Sequence, residues 1–495
     1  MTRFLAALIA LLAFAPAAHA GGSSIVFGAA EDRVRSPSAV ESEAEMGLLR
    51  LAGFKAVRIT TFWVPGLSEP TPHEAMVIAN VGTAALLHGV RAYISIYNEG
   101  SRTTPLTAQA RREFASYAAA IVRDNPAFRD VIVGNEPNIN RFWLPQFDAL
   151  GKSVSAPAYL RLLAATYDEL KAAAPDVRVW GGALAPRGID RPFTRRDTLS
   201  PTRFLRELGE AYRKSRRALP IMDGFSFHPY PLNSSVAVDA VPTDSDHLGL
   251  IDQDRLVRLL GKAFNGTAQV GSGMPILYDE FGIESVIPAN KRGLYGGFEP
   301  LTTRPVSEVV QAAAYRRAIH LAYCQSNVAG MLLFHTHDEV GRVGWQSGLV
   351  YADGTPKTSL EPVRTAMEAA GLGTIGVCPL VSTAVTAFAT RDRTISLRCH
   401  LDCSYRARLV RLPLVSPTVV GDARNGRSLA RQRVQVTLGR SVAPGWYQLS
   451  LSMVHPTRPG KPLVRTSAPF AVRVSSQPLS SPDAAAMGPR FWLGP

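Results

Sequence analysis

Two patterns of apolar residues divide the chain. From about residue 24 to residue 372, short runs rich in β-branched and aromatic residues alternate with alanine-rich stretches of helical length. From about residue 378 onward, apolar and polar residues alternate one by one, as in "TISLR" and "WYQLSLSM". Alternating strands and helices predict parallel strand pairing, whereas period-two alternation predicts antiparallel strands with one buried face.

The first part contains eight predicted strands. Helices predicted between them include 107–123, 156–174 and 307–327, each with apolar residues at three- and four-residue spacing. Strand-helix units of this number over roughly 350 residues predict a (β/α)8 TIM barrel, which we assign to residues 24–375. The strands are SIVFGAA, KAVRIT, VRAYISIY, RDVIVGNEP, VRVWGGA, DGFSFHPY, PILYDEFG and AGMLLFHTH.

The second part predicts a small antiparallel β-sandwich (Ig-like) over residues 378–475. The segment 476–495 is rich in Ser, Pro and Ala, a composition typical of a disordered tail. The chain is therefore expected to contain a large barrel followed by a smaller all-β domain.

The first twenty residues have the three parts of a secretory signal peptide. Arg3 precedes an apolar run, and the segment closes on Ala18-His19-Ala20. Cleavage after Ala20 would give a secreted, periplasmic or cell-surface protein, and an uncleaved N-terminal anchor is the alternative. The apolar run is short for a membrane span, and no later segment is apolar enough, so we expect no stable membrane span.

Four cysteines fit an exported protein. An even number in an oxidising compartment predicts disulfides rather than a thiol nucleophile. Residues 400–402 form a predicted hairpin turn that would place Cys399 and Cys403 on one face. We therefore expect these two to bond to each other, with Cys324 and Cys378 as the second pair.

The net charge of +14 is concentrated in the C-terminal part. Residues 378–475 contain 15 Lys plus Arg and 3 Asp plus Glu, a balance of +12, whereas residues 21–377 contain 37 and 36, a balance of +1. No recognition-helix, RNA-binding or zinc-finger pattern accompanies the charge, so nucleic acid is not an expected partner. Two interpretations stay open: a basic face that contacts an acidic surface polymer, or arginine used generally at surface positions.

Chemically active side chains gather where the predicted strands end. In a TIM barrel these ends meet at one mouth, where catalytic residues lie. Two carboxylates there, Glu136 in "VIVGNEPNINRFW" and Glu280 in "PILYDEFG", suit glycosidic cleavage, which needs one acid to protonate the leaving oxygen and one carboxylate to meet the sugar carbon. The other strand-end residues are Arg58, Asn135, His228, Tyr230, Asp279, His335 and His337.

The combination of "GNEPN" at the fourth strand end and "YDEFG" at the seventh resembles clan A of the glycoside hydrolases. Within that clan, the overall sequence pattern is most similar to families 39 and 5. The resemblance covers the barrel and not the C-terminal domain. It implies a retaining enzyme that cleaves O-glycosidic bonds of an oligo- or polysaccharide without a cofactor. It also implies that Glu136 is the acid/base and Glu280 the nucleophile.

The same resemblance implies the surroundings of these glutamates. Asn135 would hydrogen-bond the sugar 2-hydroxyl, while Arg58 and Tyr230 would lie near the nucleophile. His228 would line the same subsite. An arginine and a phenol beside Glu280 would keep it ionised, as a nucleophile must be.

Aromatic residues are candidates for stacking on sugar faces. Many clan members have a tryptophan at the end of strand eight, where this chain reads "FHTHDEVGRVGW". That tryptophan forms the floor of the subsite that holds the cleaved sugar. We expect Trp345 to form this floor from the loop, with His335 also contacting the substrate. Trp63, after strand two, is a further candidate for stacking or for packing in the core.

Several alternatives stay open at this point. Asp279 competes with Glu280, although successive strand residues face opposite ways, and Glu284 is a weaker rival. The H-x-H pair His335 and His337 raises the alternative of a metal-dependent hydrolase. The third hypothesis is a non-catalytic glycan-binding barrel, but such a protein would not need both glutamates. The sugar, the linkage and the choice between chain-end and internal cleavage are left open.

Overall fold

The computed structural model describes residues 22–375, except 241 and 326, and a set of strand-containing stretches between 385 and 472. The predicted signal peptide and C-terminal tail lie outside the described residues. In the part that is described, no helix has both the length and the apolar character needed to cross a membrane. The C-terminal stretches are 385–391, 394–399, 402–411, 424–429, 432–437, 445–455, 458–466 and 470–472.

Eight parallel strands close into a barrel in chain order, each pairing with the next and the last with the first. This confirms the predicted TIM barrel, and every predicted strand is present. The strands are β1 (Val26–Ala30), β2 (Ala56–Trp63), β3 (Arg91–Asn98), β4 (Phe128–Val133), β5 (Arg178–Leu184), β6 (Gly224–Phe227), β7 (Ile276–Phe281) and β8 (Val328–Phe334).

Helices follow the strands and cover the outside of the barrel. Several begin at side-chain caps that the sequence supplies: the hydroxyls of Thr107, Ser200 and Ser307 each accept a hydrogen bond from a backbone N–H in the first turn. The helices are α1 (Ala39–Leu51), α2 (Pro72–Leu87), α3 (Ala108–Asp124), α4 (Ser155–Ala173), α5 (Pro201–Ser215), α6 (Gln253–Phe264), α7 (Glu308–Cys324) and α8 (Leu360–Gly371).

The strands read as nearly continuous apolar runs because they are buried on both faces. One face packs under the helices in a large buried cluster. The other face fills the barrel interior, which leaves no open pore and fixes the strand ends as a rigid platform. The interior cluster consists of Ala56, Tyr93, Ile132, Trp180, Ala183, Leu277 and Leu332.

The C-terminal part forms two antiparallel sheets, as its period-two pattern predicts. One has the order β13-β10-β9, and the other has the order β12-β11-β14-β15 with β16 paired to β14. The strands are β9 (Val385–Arg391), β10 (Thr394–Cys399), β11 (Cys403–Arg411), β12 (Arg424–Ser428), β13 (Arg433–Thr437), β14 (Gly445–His455), β15 (Arg458–Thr466) and β16 (Phe470–Val472).

The predicted hairpin between β10 and β11 is wrong. β10 pairs with β9 and β13, whereas β11 pairs with β12 and β14 in the other sheet. Alternation fixes which face of a strand is buried but not which strand lies beside it, so the pattern alone could not distinguish a hairpin from a crossover. Neither Cys324 nor Cys403 is a free thiol. Their pairing stays a prediction, because Cys378 and the side chain of Cys399 lie outside the described residues.

The C-terminal part contacts the barrel at α6, on the helical layer. Asp402 forms an ion pair with Arg258, and its backbone N–H donates to the carboxylate of Asp254 at 3.2 Å. Both barrel residues belong to α6. These contacts therefore fix the junction of the two parts at the outer wall of the barrel.

Candidate active site

A cleft of about 750 Å³ opens at the carboxyl ends of the barrel strands. Residues on or just after all eight barrel strands line this cleft, together with residues of the long loops after β5, β6, β7 and β8. Seven residues of the predicted site line this cleft, whereas His228 and Trp63 do not. The seven are Arg58, Asn135, Glu136, Tyr230, Glu280, His335 and Trp345.

Glu136 reaches the cleft through an unusual turn after β4. Gly134 has φ +85°, and a Cβ at this position would lie 3.0 Å from the Tyr159 ring. Glu136 itself has φ +40°, a conformation that L-residues adopt sparsely, and its N–H donates to the Ala183 carbonyl at 2.8 Å. The β5 backbone thus holds Glu136 in a strained conformation, as is common for functional residues.

Glu280 lies on β7, where the alternation of side chains separates it from its neighbour. Asp279 is fully buried, whereas Glu280 lines the cleft. Arg58 Nη1 lies 2.5 Å from Glu280 Oε1, and the Tyr230 hydroxyl donates to Oε2 at 3.1 Å. The predicted pairing of Glu280 with an arginine and a tyrosine is therefore present. Two donors on its two oxygens stabilise the ionised carboxylate.

The environments of Arg58 and Tyr230 keep them in the protonation states that this pairing needs. Burial alone would lower the pKa of Arg58, but Glu280 and Asp279 raise it, so the guanidinium stays cationic. Burial raises the pKa of the Tyr230 phenol well above its usual range, and the charges of Glu280 and Glu136 raise it further. Tyr230 therefore remains a hydrogen-bond donor to Glu280.

The two glutamates approach each other closely. One carboxylate oxygen of Glu136, one of Glu280 and a ring nitrogen of His228 all lie within 4.8 Å of one another. Carboxyl groups in retaining glycosidases are roughly 5–5.5 Å apart, whereas inverting enzymes need roughly 6.5–9.5 Å to fit a water molecule. The nearest oxygens of Glu136 and Glu280 are therefore closer together than the carboxyl separation of inverting enzymes.

His228 lies beneath the cleft and joins the two catalytic candidates to a buried carboxylate. Its Nδ1 is 3.0 Å from Glu136 Oε1 and 3.5 Å from Glu280 Oε2, and its Nε2 is 3.2 Å from Asp279 Oδ2. Burial alone would lower the pKa of His228, but the charges of Asp279 and Glu280 raise it well above its ordinary value. His228 thus lies beneath the cleft as a positioning residue and is not part of the cleft wall.

Asp279 completes this buried layer. Its Oδ2 also lies 3.8 Å from Arg58 Nε. Burial raises the pKa of Asp279, but the charges of His228 and Arg58 outweigh that effect, and the net direction is downward. Sequence reasoning treated Asp279 as a rival of Glu280. The structure places it instead as the counter-ion that holds Arg58 and His228 under the two glutamates.

Trp345 lines the cleft as predicted. Its ring centroid lies 4.9 Å from that of Tyr230 and 5.4 Å from that of Phe334, the last residue of β8. Of the two interpretations left open for Trp63, the structure supports packing in the core and not contact with substrate, because the side chain is fully buried and its Nε1 donates to the Leu67 carbonyl at 2.8 Å. Trp63 is the last residue of β2, and at that position the pleat directs its side chain into the helical layer.

His335 and His337 have different hydrogen-bond and ion-pair partners. His335 lines the cleft, with Nδ1 2.6 Å from the Ala30 carbonyl and Nε2 3.1 Å from Glu339 Oε1. His337 is buried beside Glu31, with Nδ1 3.7 Å from Glu31 Oε2. Among the described residues, the cluster with suitable spacing for a metal ion is Glu136, His228 and Glu280, which includes neither histidine of the pair.

Sequence reasoning missed three cleft residues at strand ends that it did not inspect. Asp32 follows β1, Tyr97 lies near the end of β3, and Arg187 follows β5. Inspecting the ends of these odd-numbered strands in the same way would have found them. Their side chains extend the polar lining beyond the two glutamates.

Glu284 is a carboxyl group of the cleft wall with a strongly raised pKa. It is buried in the loop after β7, and its Oε2 accepts a hydrogen bond from the Gln346 N–H at 3.4 Å. Burial raises the pKa of Glu284 to about 7, and Glu299, Asp338 and Glu339 add to the rise. The native state therefore binds this proton more tightly than the unfolded chain does.

This shift predicts a pH dependence of stability. Because the pKa of Glu284 in the folded protein lies above its unfolded value of 4.5, protonated Glu284 favours the folded state. This contribution to the free energy of unfolding is complete below pH 4.5 and is lost as the pH rises through about 7. Glu284→Gln should abolish this pH-dependent loss of stability, which amounts to about 3 kcal/mol at about pH 8 in the wild type. Thermal unfolding at about pH 5 and about pH 8 measures it, with the exposed Glu361→Gln as control. Parallel pH profiles for the wild type and Glu284→Gln would contradict it.

Comparison with protein-family profiles and with curated protein sequences gives no match. Comparison with solved structures does give matches. A β-xylosidase from Caulobacter crescentus is 15% identical over 85% of this chain and 95% of its own, with a TM-score of 0.45. A GH5_18 protein from Streptomyces cattleya, in complex with GlcNAc, is 16% identical over 72% and 82%, with a TM-score of 0.49.

A β-glucuronidase 2 from Bacteroides uniformis is 12% identical over 91% of this chain, with a TM-score of 0.45. This chain spans 45% of the length of that protein. At these identities and TM-scores the likeness carries no argument about this chain. The chemistry of the cleft is therefore assigned from its own side chains.

Proposed function

We propose that this protein is a retaining glycoside hydrolase that acts on an oligo- or polysaccharide, with Glu136 as acid/base and Glu280 as nucleophile. One observation carries the proposal: two glutamates from the ends of β4 and β7 have oxygens within 4.8 Å of each other and have different partners. Glu280 accepts hydrogen bonds from an arginine and a phenol, while the side-chain hydrogen-bond partner of Glu136 among the described residues is His228.

In the first step, the Glu280 carboxylate attacks the anomeric carbon, and Glu136 gives its proton to the departing oxygen. Arg58 and Tyr230 each donate to one oxygen of Glu280 and hold the carboxylate in place for this attack. Asn135 lies beside Arg58, whose Nη2 donates to its Oδ1 at 3.5 Å, so the Asn135 amide N–H groups remain for a sugar hydroxyl. The product of this step is a covalent glycosyl-enzyme on Glu280.

In the second step, water releases the sugar. Glu136 is now ionised and takes a proton from the water that attacks the anomeric carbon. His228 Nδ1 lies 3.0 Å from Glu136 Oε1 and holds this carboxyl group in place. Two inversions at one carbon leave the anomeric configuration unchanged.

The two alternative functions fit the site less well. A metal-dependent hydrolase that uses His335 and His337 would need both imidazoles on one ion, but each contacts a different carboxylate. A glycan-binding barrel would need no close pair of carboxylates.

Two further parts of the proposal concern the ends of the chain. We propose that residues 1–20 direct export, which would bring the enzyme to extracellular or cell-surface polysaccharide. We also propose that the basic C-terminal domain contacts an acidic polymer.

Proton NMR of the first-formed product tests the proposal. Incubation with a panel of bacterial and plant polysaccharides first identifies a substrate, and product sizes report chain-end or internal cleavage. We expect the released anomer to have the configuration of the original bond before it equilibrates in water. Initial formation of the opposite anomer would eliminate double displacement and the role of Glu280 as nucleophile.

A further inference from the structure

The loop after β5 places a cation on one wall of the cleft without a carboxylate partner. Arg187 is half-buried, and Nη1 donates to the backbone carbonyls of Tyr230 at 3.3 Å and Pro231 at 2.9 Å. Among the described residues, Arg187 forms no ion pair, and its Nε and Nη2 have no protein acceptor. Burial lowers the pKa of Arg187, and the charge of Glu136 opposes that effect.

The unused edge of Arg187 has the shape that recognises a carboxylate. Nε and Nη2 of a guanidinium point the same way and can donate in parallel to two oxygens of one acid. Arg91 shows this arrangement elsewhere in the chain: Nε and Nη2 donate to Asp130 at 2.8 and 2.7 Å. The carbonyl bonds on Nη1 fix the orientation of Arg187, so the edge is held ready for a ligand.

A second cation lies on the same wall. Arg141, in the loop after β4, is exposed, lines the cleft and has its guanidinium carbon 5.4 Å from the centre of the Phe142 ring. No ion pair of Arg141 occurs within the described part of the chain. On the opposite wall, the loops after β7 and β8 carry Glu284 and Glu339 instead. In these loops, the arginines therefore come from the β4 and β5 side of the cleft and the glutamates from the β7 and β8 side.

The positive wall adjoins Glu136, which in the proposed function contacts the departing oxygen. Groups beyond Glu136 on the β4 and β5 side consequently face the departing part of the substrate. We infer that this wall is a subsite for an acidic sugar on the leaving-group side, with Arg187 as its anchor. The inference rests on the proposed function and narrows its substrate class to glycans that carry carboxylates, such as uronic acids.

Binding of small sugars to the full-length protein tests the subsite. D-glucuronate and D-glucose serve as the carboxylate and neutral probes, and glucose 6-sulfate distinguishes carboxylate recognition from general anion binding. Ligand-observed NMR titration should show that Arg187→Ala weakens glucuronate binding at least 10-fold and glucose binding less than 2-fold. Arg187→Lys, which retains the charge but not the fork, should recover only part of the loss.

Arg196→Ala is the matched control, because it removes one exposed arginine of the same loop outside the cleft. It should leave the affinity for glucuronate within 2-fold of wild type, and the basic C-terminal domain is identical in all variants. Equal affinity of the wild type for glucuronate and glucose, or equal losses in Arg187→Ala and Arg196→Ala, would overturn the inference. Tighter binding of the sulfate than of glucuronate would overturn the carboxylate assignment.

A second measurement separates this inference from the proposed function. An acidic polysaccharide that the enzyme cleaves is compared with its carboxyl-reduced form, in which the uronates are neutral sugars. We expect Arg187→Ala to lower kcat/KM on the acidic polymer at least 10-fold more than on the reduced polymer. If Glu280 is essential but Arg187→Ala lowers both equally, only the subsite fails. If Glu280 is dispensable, the proposed function fails instead.

Discussion

Replacement of Glu280 by alanine is expected to lower turnover by on the order of 10⁴-fold or more, because the carboxylate that forms the glycosyl-enzyme is absent. The space left by the side chain lies between Arg58, Tyr230 and the sugar carbon. Azide can enter this space as a small anion and attack the sugar directly. The product should be a glycosyl azide of inverted configuration, which proton NMR identifies.

A folded control is needed, because the substitution removes one counter-ion of the buried Arg58. Glu280→Gln retains the shape of the side chain and an oxygen that accepts from Arg58, so it should fold as the wild type does and be equally inactive. Circular dichroism and thermal unfolding check this. The assignment would be wrong if Glu284→Ala abolished turnover while Glu280→Ala retained it, since Glu284 also lines the cleft.

Much of this site could be predicted because a parallel barrel converts sequence order into spatial order. Every strand delivers its carboxyl end to the same mouth, so Glu136 and Glu280 could be paired although 144 positions separate them. The period-two alternation on β7 also separates Glu280 from Asp279. The contact of Tyr230 with Glu280 follows from the same rule, because Tyr230 comes just after β6. Arg58 is the third residue of β2 and not its end, so the rule does not account for its contact with Glu280.

Features that depend on depth within the barrel or on loop paths could not be predicted. Strand-end position did not reveal that His228 lies beneath the cleft with Asp279 as its counter-ion. Trp63 ends a strand, yet it faces the helical layer, because only the local pleat decides which side a terminal residue takes. The orientation of Arg187 depends on carbonyls of another loop, 43 residues further along the chain for Tyr230.

Replacement of Glu136 by alanine should have a large effect that depends on the leaving group. Loss of general acid catalysis lowers the rate for sugar leaving groups by roughly 10²–10⁴-fold. An aryl glycoside with a dinitrophenolate leaving group needs no proton, so its kcat/KM should fall far less. Its kcat should still be low, because no base remains to activate water in the second step, and the glycosyl-enzyme should accumulate on Glu280.

Azide distinguishes Glu136 from Glu280 by stereochemistry. In Glu136→Ala, azide replaces water in the second step and should raise kcat while giving a glycosyl azide of retained configuration, because Glu280 still performs the first inversion. The kinetics are measured with the dinitrophenyl and an unactivated glycoside of the same sugar, and mass spectrometry of the quenched enzyme locates the sugar. Equal losses of kcat/KM on both glycosides, or an azide product of inverted configuration, would show that Glu136 is not the acid/base.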